Sequence, residues 1–304
     1  MAIFSCSTAE MNFGGFIITY QRPQVLLSTL EAVFSQSLPP QHLWIIDNSE
    51  DRETEQVLKE KNDSRLTYVR MGKNAGPAGA AAKGLELCGK AGLDWIYWGD
   101  DNDPPFREDC FERLLAIRDV NPFCGILGAV GQYFDRRKGK ILRVQTRLLE
   151  KKPWIEVDYV AGNMSMLVSG DVARSGIAPD PKLFFGFEEL DFCLEVKRKG
   201  YSIVVDCGLF LEARTRHGRL GFERPLYQKK THLVREYYSL RNLLYISNSV
   251  SLPFMRRNLY QKWSLKAIYG FRYGLRYGWK NMKMISLAFW HYWRGKMGKT
   301  LDLK

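Results

Sequence analysis

The chain has 304 residues and a formal net charge of +12, and 45% of its residues are hydrophobic and 26% charged. These values are ordinary for a globular protein with one large domain or two smaller ones. The longest nearly apolar run, 284–293, is about half the length of a membrane span, so we expect no transmembrane helix.

Six cysteines are scattered along the chain without a CxxC pair or zinc-site spacing. We therefore predict reduced core residues in a cytosolic protein and exclude a disulfide framework. The first residues lack the basic and apolar regions of a secretory signal. Together these features predict a cytoplasmic location.

Apolar runs alternate with helical spacings in the first hundred residues. The pattern predicts strands at 14–19, 42–47, 66–70 and 94–99 and helices at 24–35, 53–61 and 78–88. This alternation predicts βαβ units and a mainly parallel sheet.

The order changes beyond residue 100. We expect strands at 125–134, 159–168 and 202–206, a strand-like run just before His217, and a mixed extension involving 138–147. We expect helices at 107–118, 187–199 and 230–247, and at least two more from residue 254. A boundary near Ser251 divides the chain into predicted regions 1–250 and 251–304.

Polar residues stand at the ends of the four predicted strands or in the loops that follow them. Right-handed crossovers place these strand ends along one edge of the sheet. We therefore expect a common crevice lined by Thr19-Tyr20, Asp47-Asn48, Lys73-Asn74 and Asp100–Asp103.

The aromatic strand 94–99 ends in three carboxylates: Asp100, Asp101 and Asp103. Crowded carboxylates raise one another's pKa values, and a divalent cation among them relieves the repulsion. Mg²⁺ and Mn²⁺ prefer such oxygen ligands. Taken alone, the run fits a metal-diphosphate site and a solvated acidic turn equally well.

Two other strand-end features suit a nucleotide. Asp47 could accept the imide N–H of uracil or thymine, although Asp47-Asn48-Ser49 more simply predicts an Asx-turn. The small residues after Asn74 open a helix, whose N-terminus favours anions. A purely structural helix start explains that loop equally well.

A second acidic cluster, Glu188-Glu189 with Asp191, stands at a predicted helix start. It either complements the helix dipole or supplies a general base. His217 lies among arginines that could contact phosphate while the imidazole binds metal, although a lone histidine usually is not a ligand. Arg241 could face the same site, or lie at the edge of the core.

In this order, the motifs resemble glycosyltransferase family 2, the inverting enzymes of the GT-A fold. The resembling segments are Ile17–Pro23, Asp47–Ser49, Asn74–Gly79, Asp100–Asp103, Glu188–Leu194 and His217. The run Trp98–Asp101 and the segment Tyr237–Asn242 further resemble bacterial galactofuranosyl- and rhamnosyl-transferases.

The resemblance implies an α/β GT-A fold, with a Rossmann-like, mainly parallel sheet flanked by helices and a C-terminal helical extension. It also implies metal-dependent, inverting transfer of a sugar from a UDP- or dTDP-linked donor, for example galactofuranose or rhamnose. The acceptor would be a hydroxyl of a glycan or lipid-linked glycan in cell-wall, capsule or O-antigen synthesis.

The resemblance also assigns roles to residues. Glu189 would be the catalytic base, and Asp101, Asp103 and His217 would hold Mn²⁺ or Mg²⁺. The nucleotide would contact Thr19, Tyr20, Arg22, Asp47, Asn74 and Asp100, and the acceptor would contact Glu188, Trp154 and Arg241. Asn102 interrupts the acidic run, so which two of its three aspartates hold the ion stays open.

Residues 251–304 carry twelve Lys/Arg, one acidic residue and twelve aromatics. This composition suits an interfacial helix on an anionic membrane, and equally a helical subdomain with a solvated basic face. Gly270, Gly274 and Gly278 would form one stripe if the segment were a continuous helix, permitting close packing on a neighbouring helix.

Two rival functions remain at this stage. A sugar nucleotidyltransferase would share a similar sheet and metal. A nucleic-acid-binding protein could use the basic, aromatic tail, but the acidic clusters would repel nucleic acid, so none is expected as a partner. The sequence leaves the oligomeric state open.

Overall fold

The computed structural model describes residues 11–162, 165–220 and 229–303. Its strands are Phe13–Thr19 (β1), Leu43–Asp47 (β2), Leu66–Arg70 (β3), Trp95–Asp100 (β4), Cys124–Gly128 (β5), Gln132–Asp135 (β6), Lys140–Arg143 (β7), Trp154–Glu156 (β8), Met166–Ser169 (β9) and Ser202–Asp206 (β10). Its α-helices are Pro23–Phe34 (α1), Glu53–Lys61 (α2), Gly76–Lys90 (α3), Cys110–Ala116 (α4), Thr146–Leu149 (α5), Gly170–Arg174 (α6), Glu188–Arg198 (α7), Cys207–Arg216 (α8), Leu233–Ser249 (α9), Pro253–Tyr269 (α10) and Leu275–Trp293 (α11).

The main sheet has the strand order β3-β2-β1-β4-β9-β5-β10-β8. Strands β1 to β4 run parallel to one another, and β5 runs parallel to β10, whereas β9 and the edge strand β8 are antiparallel to the strands beside them. Thr19 pairs with Asp47, and Ile18 pairs with Asp100. The polar residues that end β1, β2 and β4 therefore meet at one edge of the sheet, as the predicted crossovers require.

Alternate residues of β1 pack into two apolar layers on opposite faces of the sheet. Phe16 belongs to the layer that includes residues of α3, and Ile17 belongs to the layer that includes residues of α1. The small residues of α3 let this helix approach the sheet closely: a Cβ on Gly84 would lie 2.3 Å from the Phe16 ring.

The middle of the chain differs from the sequence prediction. The expected strand 125–134 is two strands in different sheets, because the chain bends at Ala129 and Val130 between them. At Gly131, next to the bend, an added Cβ would lie 2.8 Å from Val157 and Val205. Strand β6 instead forms a hairpin with β7. The expected strand 159–168 contributes only β9, with Tyr159 making a single bridge to Gln132.

Two helices also differ. The helix expected at 107–118 begins only at Cys110, because the Arg107 guanidinium pairs with Asp109 and with Glu212 of α8. The strand-like run before His217 is the helix α8, which Asp206 caps by accepting a hydrogen bond from the Leu209 N–H at 2.7 Å.

The condition for a single glycine stripe, one continuous helix through Gly270, Gly274 and Gly278, is not met. Helix α10 ends at Tyr269, and Gly274, with φ +104°, separates it from α11. Gly270 packs against Asn281, and Gly278 packs against Phe271, so these glycines permit a tight helix–turn–helix.

Helices α10 and α11 pack against α9 and against each other. Their buried residues, such as Leu259 and Ile285, share one apolar cluster with Leu240 and Leu244 of α9 and with Leu190 of α7. No helix in the described parts of the chain is long and apolar enough to cross a membrane. The division at 250/251 stays a prediction.

Candidate active site

The Asp101 carboxylate organises the loop that follows β1. Thr19 Oγ1 donates to Asp101 Oδ2 at 2.9 Å, and the Tyr20 N–H donates to the same oxygen at 3.4 Å. Arg22 Nη1 lies 3.5 Å from Oδ1. Burial raises the pKa of Asp101, while the Thr19 hydrogen bond and the Arg22 charge oppose this shift. Three predicted nucleotide contacts thus surround one predicted metal ligand.

Asp47, at the end of β2, is fully buried. Its Oδ1 accepts the Ser49 N–H at 2.8 Å, which is the Asx-turn anticipated from the sequence. Its Oδ2 accepts the Tyr68 hydroxyl at 2.9 Å. Both oxygens therefore already accept hydrogen bonds within the protein.

Asn48, which the sequence analysis expected in the crevice beside Asp47, is a positioning residue. Its Nδ2 donates to Gly76 O and its Oδ1 accepts the Ala75 N–H, each at 3.2 Å. Asn74 Oδ1 in turn accepts the Gly76 N–H at 3.0 Å. The end of β2 is thereby joined to the loop that begins α3, and Asn74 shapes that loop. The signal available in the sequence was the polar run that ends β2.

The second acidic cluster begins α7, directly after Phe187, whose φ is +69°. Glu188 is buried, and its Oε2 has no hydrogen-bond partner among the described residues. Glu189 is only part-buried, and its Oε1 accepts the Gly162 N–H at 3.4 Å. Burial raises the pKa of both carboxyls, and in Glu188 the neighbouring Glu189 raises it further.

The two acidic clusters influence each other across the crevice. Burial and then the Glu189 carboxylate raise the pKa of Asp100 to about 7, with smaller contributions from Asp101 and Asp103. The contacts agree: Glu189 accepts the Gly162 N–H, and Gly162 packs against Trp98 of β4, so the start of α7 lies close to the end of β4. Such a concentration of carboxylates with raised pKa values in one cleft is a common property of functional sites.

Asp103 and His217 line one cavity of about 240 Å³. Arg143, Arg214 and Arg219 line it as well. Arg214 is buried and donates to the Val144 carbonyl at 2.7 Å, which holds it in place. The cavity therefore places an acid and an imidazole among cationic groups suited to phosphate.

A sequence model of Glycosyl transferase family 2 matches residues 16–169. The chain belongs to this family. The match covers β1 to β9 and includes the strand-end residues Thr19, Asp47, Asp100 and Asp101. The chain is therefore a glycosyltransferase, and the confirmed fold is the GT-A fold.

Curated relatives of this family 2 glycosyltransferase include two mycobacterial proteins. It is 25% identical to galactofuranosyltransferase GlfT1 of Mycolicibacterium smegmatis over 283 residues, covering 86% of this chain and 87% of that protein. It is also 25% identical to GlfT1 of Mycobacterium tuberculosis (strain ATCC 25618 / H37Rv) over 281 residues, covering 86% of each.

Solved structures share the fold at lower identity. A fragment of S. aureus TarS in complex with UDP superposes with a TM-score of 0.53 at 15% identity, covering 87% of this chain and 75% of that one. The mannosyltransferase PcManGT of Pyrobaculum calidifontis, in complex with GDP-Man and Mn²⁺, gives a TM-score of 0.52 at 12% identity, covering 95% and 76%.

The side chains of this glycosyltransferase suit a divalent ion by their chemistry. Carboxylates and an imidazole are donors that Mn²⁺ accepts. Burial, with neighbouring carboxylates, raises the pKa values of Asp100 and Asp101, and a bound cation would favour their charged forms. Across residues 11–162, 165–220 and 229–303, no three His, Cys, Asp or Glu side chains stand together as a ready metal cluster. Asp101, bound to Thr19 and near Arg22, would have to exchange partners to reach an ion.

Two predicted acceptor contacts lie away from the crevice. Trp154 begins the edge strand β8, four strand positions from β4, a separation of about 19 Å. Arg241 is fully buried in α9, and its guanidinium donates to the Leu183 and Gly298 carbonyls and to Thr300 Oγ1. The Arg241 side chain therefore faces protein acceptors and not the crevice, whereas the acceptor role of Trp154 stays a prediction.

Proposed function

We propose that this glycosyltransferase moves a sugar, with inversion, from a UDP- or dTDP-linked donor to a hydroxyl of a glycan or lipid-linked glycan in cell-surface polysaccharide synthesis. The observation that carries the proposal is the link between the two acidic clusters: Glu189 accepts the Gly162 N–H, and Gly162 packs against Trp98, two residues before Asp100. The Glu189 carboxylate accordingly raises the pKa of Asp100. The GlfT1 relatives favour galactofuranose as the sugar, and the UDP complex of TarS favours uridine.

Glu189 is the proposed base. It is the more exposed member of the acidic pair, and burial raises the pKa of its carboxyl toward the range in which a base works efficiently. Its carboxylate takes the proton from the acceptor hydroxyl as that oxygen attacks the anomeric carbon. One displacement with one base inverts the configuration at that carbon. Glu188 beside it is the proposed acceptor contact.

The departing nucleoside diphosphate carries negative charge, which a positive charge beside it would stabilise. Asp101, Asp103 and His217 would hold Mn²⁺ or Mg²⁺, which when bound supplies that charge. Arg143 and Arg219, beside Asp103 and His217, add cationic groups that do not depend on a metal.

The proposed nucleotide contacts are Thr19, Tyr20, Arg22, Asp47, Asn74 and Asp100. All six belong to strand ends or loops that the fold brings to the same edge of the sheet. Because the oxygens of Asp47 already accept hydrogen bonds, it would contact a base through remaining lone pairs.

The decisive experiment measures nucleotide release. The protein is incubated with UDP-galactofuranose or dTDP-rhamnose, a glycan acceptor and Mn²⁺ or Mg²⁺. Release of UDP or dTDP with an inverted glycosidic product supports the proposal. Pyrophosphate released from a nucleoside triphosphate would instead identify a nucleotidyltransferase. A salt-dependent shift of RNA or DNA without sugar transfer would identify a nucleic-acid-binding protein.

We further propose that region 251–304 holds the enzyme at the cytoplasmic face of an anionic membrane. Helix α11 buries Ile285 and Ala288 on one face and exposes large apolar side chains on the opposite face. The exposed side chains are Leu275, Trp279, Trp290 and Trp293. They are four, eleven and three residues apart, which places them on one side of the helix. Helix α10 does the same with Phe254, Leu265 and Ile268.

Helices α10 and α11 form a helical hairpin. We call its two exposed apolar stripes the outer face of the hairpin. Because both helices bury their opposite faces against α9, the stripes point away from the body of the protein. Basic residues, including Arg257, Arg276 and Lys283, accompany them, and Asp302 is the single acid in the region. Exposed tryptophans beside cations are the side chains that favour an anionic lipid interface.

A further inference from the structure

The residues before the acidic pair form an unusual loop. We call 183–187 the base loop, since it leads directly into Glu188 and Glu189. Phe184, Gly186 and Phe187 all have positive φ values, of +62°, +85° and +69°. Such backbone is costly for phenylalanine, so other contacts must hold it.

The Ala78 N–H of α3 donates to Phe184 O at 3.3 Å, and one buried amide on α9 contacts three further carbonyls. Asn242 is fully buried, and its Nδ2 lies 2.9 Å from Leu183 O, 3.0 Å from Phe185 O and 2.8 Å from Gly186 O. A single amide group thus collects three carbonyls of the base loop. Without it, these carbonyls would lose a buried donor.

Arg241 orients this amide from behind. Its Nη2 and Nε donate to Asn242 Oδ1 at 3.0 and 3.2 Å, so the amide oxygen faces the guanidinium and Nδ2 faces the loop. Arg241 Nη2 also donates to Leu183 O at 3.1 Å, and the guanidinium lies 4.8 Å from the Tyr238 ring centroid. Burying a guanidinium costs its hydration free energy, so its hydrogen bonds must compensate for that loss. The acceptors of Arg241 are therefore part of the structure that it organises.

The C-terminal segment 298–301 completes the arrangement. Gly298 O and Thr300 Oγ1 accept from Arg241 Nη1 at 2.9 and 3.0 Å. Tyr238 Oη accepts the Thr300 and Leu301 N–H groups at 3.0 and 2.9 Å. The Gly298 N–H donates to Lys182 O, directly before the base loop, at 2.7 Å. The end of the chain is therefore part of the support of the loop.

We infer that Asn242 and Arg241, closed by segment 298–301, are positioning residues that set the geometry of the Glu188-Glu189 pair. This inference rests on the proposed role of Glu189 as base. It assigns Arg241 a function different from the expected acceptor contact: it acts through Asn242 and the loop backbone. It also gives the C-terminal segment a role in turnover besides any role at a membrane.

The test compares two buried asparagines. Asn281 in α11 is equally buried and donates to one backbone carbonyl, Lys266 O, at 3.0 Å, away from the base loop. Asn242→Ala should lower kcat for UDP release from UDP-galactofuranose by about 10–100-fold, while UDP binding measured by calorimetry stays unchanged. Asn281→Ala should lose comparable thermal stability and keep kcat. Equal kcat values in the two variants would overturn the inference.

Hydrogen exchange separates this inference from the proposed function. Amides of 183–189 should exchange faster in Asn242→Ala than in Asn281→Ala, whether or not the donor is turned over. Unchanged protection there would overturn the positioning role, whereas a wild-type protein without turnover would overturn only the proposed function. If Asn242→Ala does not fold, Thr300→Val removes one acceptor of Arg241 and should show the same effects at smaller size; wild-type exchange and kcat would contradict us.

Discussion

Glu189, at the start of α7, raises the pKa of Asp100, at the end of β4, which burial has already raised. The two carboxylates belong to distant parts of the chain, yet Gly162, which donates to Glu189 and packs against Trp98 of β4, joins the regions that carry them. In the proposed reaction, one lies on the acceptor side and the other on the nucleotide side. This pair therefore marks where the transferred sugar would sit.

The amide variant Glu189→Gln should bind UDP normally and lose about 100- to 10,000-fold in kcat, because an amide cannot accept the proton. Glu195→Gln, in the same helix, is the matched control, since Glu195 pairs with Arg198 at the surface. We expect this control to keep full activity. Substantial turnover by Glu189→Gln would show that another group is the base.

The raised pKa of Asp100 should make stability depend on pH. Its ordinary pKa of 3.8 rises to about 7 in the folded protein, so the folded state holds the proton more tightly. The stabilising contribution is thus complete below pH 4 and is lost as the pH rises toward 7. Without metal, Asp100→Asn should raise the unfolding free energy at pH 8 by on the order of 2–4 kcal/mol and change it little at pH 4.

Denaturant unfolding at both pH values measures this difference. Asp119→Asn is the control, because Asp119 lies at the surface in an ion pair with Arg118. Its unfolding curves should follow those of the wild type at both pH values. An Asp100→Asn variant less stable than the wild type at pH 8 would be inconsistent with the stated cause.

Divalent metal should raise the melting temperature of the wild type in the presence of UDP. Asp103→Asn and His217→Ala should each weaken this response to Mn²⁺ about tenfold or more in half-saturating concentration, because each removes one proposed ligand. His232→Ala changes an exposed histidine at the start of α9 and serves as control. An unaltered Mn²⁺ titration in the Asp103 and His217 variants would exclude them as ligands.

Membrane binding should depend on the outer face of the hairpin. Replacing Trp279, Trp290 and Trp293 together by alanine should reduce co-sedimentation with anionic liposomes severalfold, since these side chains are 64%, 50% and 69% exposed. Phe123→Ala removes a side chain that is 77% exposed on the main body. That variant should bind liposomes like the wild type; equal loss in both would argue against a specific surface.

The packing of α3 leads us to expect opposite effects on stability when two of its glycines are replaced by alanine. Gly84→Ala would place a Cβ 2.3 Å from the buried Phe16 ring and should destabilise the fold by about 1–3 kcal/mol. Gly89→Ala meets Ala173 at 3.4 Å and should be neutral or stabilise by up to about 1 kcal/mol, because alanine favours helix. Thermal unfolding of both variants measures the contrast, and similar melting temperatures would contradict it.

The first half of the fold was accessible from sequence because its signals are local. The apolar runs of β1, β2 and β4 each end in polar residues, and parallel strands must bring those ends together. The β6–β7 hairpin was not accessible, because the apolar run gives no sign of the bend at Ala129 and Val130, and the valines that pack against Gly131 come from distant strands. Likewise, the glycine repeat left open where the predicted C-terminal helices divide, and the backbone of Gly274, with φ +104°, decides it.

By itself, the sequence determined the two acidic clusters, the strand-end polar residues and the basic aromatic tail, because composition and spacing are properties of neighbouring residues. Only the tertiary structure decided what surrounds them. It placed Glu189 beside Asp100, and it buried Arg241 among carbonyls of the base loop and the chain end. A guanidinium looks the same in sequence whether it faces a substrate or the core, and distant backbone acceptors decide between the two.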